Sequence, residues 1–136
     1  MKHTLILTVM TLLLSQTAAR AAETISSTTV KQRLEKVIYG SKNLEGSTPH
    51  GDFCLIKVEE SPSAYNLSLY HKDDAVLIEI RPQQKFTYRK QQHADSLTQW
   101  FQRNSDKIKL RTYPTSLNFD LVVTQGQVTI PCSVRN

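Results

Sequence analysis

The chain is poor in several things that define well-known protein classes. Its 136 residues hold two cysteines, one tryptophan, four glycines and five prolines. Two cysteines are too few for a disulfide-dense miniature scaffold or for a zinc site built from four thiolates. So few glycines and prolines exclude collagen-like and low-complexity chains. No G-x-S-x-G, H-E-x-x-H, P-loop, dinucleotide glycine fingerprint or Ca²⁺ loop occurs, so no familiar catalytic frame, cofactor or metal is assigned. The length allows one domain.

What is there begins with an address. Lys2 and His3 form a short basic start, Thr4 to Leu14 is nearly all apolar or small, and Ala19-Arg20-Ala21 supplies an A-x-A cleavage site. This layout predicts a secretory signal peptide over residues 1–21. The apolar run is only about half of the roughly 20 residues that a spanning helix needs, and no later stretch replaces it. The expected compartment is a bacterial periplasm or the cell exterior, with no stable membrane span after processing. Removal of Lys2 and Arg20 would lower the formal net charge from +5 to +3.

Export gives the cysteines a meaning. Cys54 and Cys132 lie 78 positions apart, and disulfides persist in oxidising compartments. The chain contains no C-x-x-C, and Phe53 and Leu55 flank Cys54 where a reactive thiol would need an activating base. A structural bridge is expected. In the chain-entropy picture it contributes about 4.5 kcal/mol for a loop of this size.

Periodicity places the elements. Residues 22–28 are small and polar and read as a flexible N-terminus; 29–136 read as one disulfide-stapled β-rich domain. Val30, Leu34, Val37 and Ile38 form one apolar stripe, predicting a helix over about 29–39 with Thr29 and Gln32 as a capping box and Gly40 just past its end. Residues 40–52 are dense in turn formers and read as a loop. The period then becomes two. Strands are expected at 53–59, 64–70, 75–81 and 107–113, with a weaker one at 84–90. Between the second and third, residues 71–74 read as the turn. A final hairpin sets Leu117, Phe119, Leu121 and Val123 against Val128, Ile130, Cys132 and Val134 around Gln125-Gly126. Leu97, Trp100 and Phe101 fall at helical spacing after Asp95, predicting a short core-facing helix near 95–104. The fold class is mainly β (α+β), with six to seven antiparallel strands forming a small barrel or curled sheet.

Candidate chemistry is sparse. His50-Gly51-Asp52 offers a base beside an orienting carboxylate, the basis of a small-hydrolase alternative. His71 and His93 each stand alone in the sequence. Asp73-Asp74 reads as a hairpin turn, and Asn66-Leu67-Ser68 matches the glycosylation sequon. The unusual stretch is 81–113. It carries Arg81, Lys85, Arg89, Lys90, Arg103, Lys107, Lys109 and Arg111 against only Asp95 and Asp106. Alternation puts Lys107, Lys109 and Arg111 on one strand face with Tyr113 next in line. Arg89, Lys107, Lys109, Arg111 and Tyr113 are therefore the candidate ligand-binding residues. Their partner would be an acidic protein, glycan or phosphate-bearing ligand. The expected function is a non-catalytic exported binding or inhibitor-type domain; the alternative is a structural or assembly factor of a bacterial envelope or secretion machine.

Overall fold

The computed structural model describes residues 22–38 and 43–136; the segment read as a signal peptide and Gly40 lie outside them. Among the described residues, ten antiparallel strands and one helix make a single domain. In chain order they are β1 (Glu23–Ser26), α1 (Ser27–Ile38), β2 (Asn43–Ser47), β3 (Phe53–Ser61), β4 (Ala64–His71), β5 (Asp74–Ile80), β6 (Lys85–Gln92), β7 (Leu97–Arg103), β8 (Asp106–Thr112), β9 (Phe119–Gln125) and β10 (Val128–Val134). All strands belong to one sheet, ordered β1-β6-β7-β8-β9-β10-β2-β3-β4-β5. The sheet curls, bringing β4 and β5 back near β9 and β10, but it does not close. β1 and β5 are its two edges.

The sheet consists of two leaves. β2 to β5 form one meander and β6 to β10 another, with β1 added to the free side of β6. Among the described residues, a single register pair, Ser133 with Ser47, joins the leaves. Beside that seam lies the expected disulfide, Cys54–Cys132, with its Cα atoms 5.9 Å apart. A strand the sequence did not announce, β2, stands between the two cysteine strands. Gly46 of β2 faces Cys54 in register. A Cβ on Gly46 would lie 2.5 Å from the Ser133 carbonyl oxygen and 2.8 Å from Cys132 Sγ, so glycine is what lets the bridge pass. A disulfide of this kind indicates an oxidising, exported setting. No helix among the described residues is long and apolar enough to cross a membrane.

The core is the set of inward residues that alternation predicts. Ile56, Leu67, Leu69, Ile78, Ile108, Leu110, Leu121, Val123 and Ile130 are fully buried, and α1 adds Val30, Leu34 and Ile38 from one helical stripe.

Six expectations are corrected. Residues 22–28 are not loose: they supply β1, paired along β6, and the start of α1. The helix is capped by Ser26, whose Oγ accepts the Thr29 amide at 3.2 Å, so Thr29 is the third helical residue and not the cap. The 40–52 segment contains β2, made a strand by the β3 ladder on its flank. The short helix near 95–104 is instead β7, with Phe101 buried and Trp100 only half-buried on the outer face. Leu117 precedes β9 and is exposed. The strand count among the described residues is ten, against six to seven expected.

Candidate binding surface on the outer face of β6 to β8

Register assembles the surface. Arg89 on β6 pairs with Trp100 on β7, Trp100 with Lys109 on β8, and Lys109 with Val122 on β9. Residues opposite one another in an antiparallel sheet share a face, so these four form a transverse row on the outside. The Arg89 guanidinium lies 4.2 Å from the indole centroid and the Lys109 ammonium 6.0 Å from it. Each cation–aromatic contact of this kind contributes about 0.5–1 kcal/mol when exposed. Trp100 therefore acts as a spacer that holds two cations apart, about two strand spacings or roughly 10 Å. Lys107 stands two residues from Lys109 on the same exposed face. Among the described residues, none of these three cations has a carboxylate within ion-pair distance.

The other two sequence-predicted residues lie in a second sandwich on the same side. Arg111 stands 5.6 Å and Arg135 5.8 Å from the Tyr113 ring centroid. Here the charge is already neutralised. Arg111 donates to Ser96 Oγ at 2.8 Å and pairs with Asp95 at 3.5 Å. Arg135 pairs with Asp120 at 2.8 Å, and the Tyr113 hydroxyl donates to Asp120 Oδ2 at 2.6 Å. The carboxylate at the other end of that bond lifts the Tyr113 hydroxyl above its usual range. Burial pushes the Asp120 carboxyl up, but hydrogen bonds from Tyr113 and Arg135 outweigh it and hold the group below the ordinary value.

The five residues thus divide. Arg89, Lys107 and Lys109 carry free positive charge; Arg111 and Tyr113 belong to a closed polar network. Trp100 and Arg135 are the participants that sequence reasoning missed. Reading Trp100 as core followed from its helical spacing with Leu97. The signal that finds it is the Asn104-Ser105 turn, which makes 97–112 a hairpin and puts Trp100 out of phase with Phe101.

The histidines do not converge with the basic face. Asp52 meets His71 at 3.3 Å and Lys72 at 3.4 Å, so the His50–Asp52 pairing expected from proximity in sequence is replaced by a contact from the residue before β3 to the end of β4 and the turn that follows it. Hydrogen bonds from His71 and Lys72 hold the Asp52 carboxyl below the usual range. His93 instead contacts Thr98 Oγ1 at 3.2 Å. Asp73 and Asp74 occupy the hairpin turn and the first position of β5. Asn66 sits on the outer face of β4 between Glu59 and Glu79.

Comparison of the chain with protein-family models, curated proteins and solved structures finds no match.

Proposed function

We propose that the protein is an exported, non-catalytic binding or inhibitor-type domain, working in a bacterial periplasm or outside the cell. It recognises an acidic partner through Arg89, Lys107 and Lys109. The observation that carries this reading is the Arg89–Trp100–Lys109 row: cations positioned by an aromatic spacer and not neutralised by the protein's own acids. Unpaired, pre-positioned charge on a strand face accelerates encounter with an anionic surface and makes binding salt-dependent. None of the described clefts includes these residues. A flat, ridged face of this kind suits an acidic protein surface or an anionic polymer better than a small molecule, which needs a concave site.

The test is retention on immobilised heparin and polyglutamate across a salt gradient. Reversal of Arg89, Lys107 and Lys109 to Glu is expected to abolish retention. An equal reversal at Lys31, Lys57 and Lys72, which already pair with the protein's own carboxylates, should leave most of it. Equal loss from both triple variants would refute a localised site, because net charge alone would then explain the binding.

A second reading has its own observation. Phe53 is 61% exposed, and Tyr70 and Leu77 are exposed on the outer face of the leaf that ends in the unpaired edge β5. Such a face supports the envelope-assembly alternative. It predicts that Phe53→Ser and Tyr70→Ser disrupt association with a partner complex while the basic-face variants do not.

A further inference from the structure

The core side of the sheet holds a cleft of about 460 Å³ where α1 meets the start of β7 and the segment after β8. Its size falls in the range of small-ligand sites. Apolar groups form much of its wall: Val37 from the helix, Leu97 from β7, and Pro114 and Leu117 from the segment that links β8 to β9. Leu117 is 57% exposed and belongs to no strand, so its side chain is not consumed by the core.

The polar lining has one sense. Arg33 and Lys36 border the cleft, and no Asp or Glu does. Arg33 is half-buried and fixed. Its guanidinium lies 4.4 Å from the Tyr88 ring centroid, and its Nη1 donates to Gln99 Oε1 at 3.2 Å. The Tyr88 hydroxyl donates to the same oxygen at 2.9 Å. The Gln99 carbonyl is therefore fully engaged, and among the described residues its amide nitrogen has no protein partner. Neither Arg33 nor Lys36 has a carboxylate within ion-pair distance among the described residues. A part-buried guanidinium held in place by an aromatic ring and an amide, with no carboxylate partner, leaves oriented donors for an anion that enters the cleft.

We propose that this cleft binds an amphipathic anion, its carboxylate or phosphate head taken by Arg33, Lys36 and the Gln99 amide and its alkyl body laid along Val37, Leu97 and Leu117. The site is separate from Arg89, Lys107 and Lys109; Tyr113, whose hydroxyl is engaged by Asp120, borders it. The Arg33 fork supplies directional hydrogen bonds to a planar or tetrahedral head group. Lys36 is an exposed point charge at the mouth, and Leu117 covers the chain from the loop side.

The experiment is calorimetric titration of the protein with dodecanoate and dodecyl phosphate below their micellar concentrations. Dodecanol, dodecyltrimethylammonium and acetate are the comparison ligands. Dodecanoate or dodecyl phosphate should bind saturably at one site, and preference for one head over the other identifies the natural source as free acid or phosphate ester. Dodecanol, which lacks the charge, should bind at least about ten-fold more weakly; the cationic amphiphile and acetate should not bind. Lys36→Glu is expected to weaken dodecanoate binding about ten-fold with little effect on dodecanol, and Leu117→Asp to weaken both. Both positions are exposed, and an unchanged thermal melt confirms that each variant folds. Lys107→Glu/Lys109→Glu should leave dodecanoate affinity unchanged, which separates this site from the outer face. Absence of saturable binding by either anion, equal affinity for dodecanol or the cationic amphiphile, or an unaffected Lys36→Glu variant would overturn the proposal.

Discussion

Replacing Gly46 with alanine tests the account of the seam, because two arguments predict opposite signs. Its backbone lies outside the left-handed region, where glycine alone would be at ease. On conformational grounds, alanine in a strand should therefore stabilise by roughly 0.5–1 kcal/mol, through lower freedom in the unfolded chain. The structure says otherwise. The new methyl would meet the Ser133 carbonyl oxygen at 2.5 Å and Cys132 Sγ at 2.8 Å. One is main chain in a paired strand and the other is half of a disulfide, so neither can swing aside as a flexible side chain would. Overpacking against fixed atoms costs about 1–3 kcal/mol, and the expected net result is a loss of about 2 kcal/mol. Urea unfolding followed by the fluorescence of the one tryptophan measures it. The same substitution in a Cys54→Ala/Cys132→Ala background removes the sulfur but leaves the carbonyl. There the penalty should shrink by about 1 kcal/mol, a coupling of the size seen between touching residues. Gly46→Ala as stable as the parent, or equally damaging in both backgrounds, would refute the claim that glycine makes room for the bridge.

Two other outcomes follow from contacts on the surface. Arg89→Ala should raise acrylamide quenching of Trp100 and cost about 0.5–1 kcal/mol; Lys109→Ala should do less, since its ammonium is farther from the ring at 6.0 Å, and equal quenching in both would contradict the row's geometry. The Asp52 carboxyl, held low chiefly by the His71 hydrogen bond and then by Lys72, should titrate in a ¹³C NMR experiment below the ordinary value of roughly 3.9. Its stabilising effect is present above that ordinary value and is lost as pH falls through the lower folded one. His71→Gln should move the midpoint back up, and an unmoved midpoint would assign the effect elsewhere.

Much of the β architecture was legible in the chain because burial on one face writes itself as alternation. The strands expected at 53–59, 64–70, 75–81 and 107–113 correspond closely to β3, β4, β5 and β8. Three strands were not legible, for different reasons. β1 and β2, Glu-Thr-Ile-Ser and Asn-Leu-Glu-Gly-Ser, have too few apolar residues to show a period. They are strands because β6 and β3 offer them ladders, a tertiary effect that outweighs local preference. β7 misled because Leu97, Trp100 and Phe101 sit at helical spacing while Leu97, Gln99 and Phe101 alternate. The buried Gln99, inward yet polar, broke the pattern that would have revealed the strand. The same residue hid the cleft, since its role depends on Arg33, 66 positions away. On the outer face, sequence located the cations but not which of them are free. That distinction depends on Asp95 and Asp120, which reach Arg111 and Tyr113 only in the folded sheet.

The two leaves and their narrow seam also set an order of events. Within each leaf, successive strands are joined by turns or short segments, so their ladders are local and form quickly. Ser47 with Ser133 and Cys54 with Cys132 are contacts of long sequence separation, and they wait until both meanders exist. Throughout that interval the Cys54 thiol has no partner in its own leaf. With only two cysteines in the chain, no scrambled internal pairing is available, and the one wrong outcome is a bond to another molecule. Correct maturation is thus a race between intramolecular closure and bimolecular encounter, and the yield of oxidised monomer should fall as the protein is refolded at higher concentration.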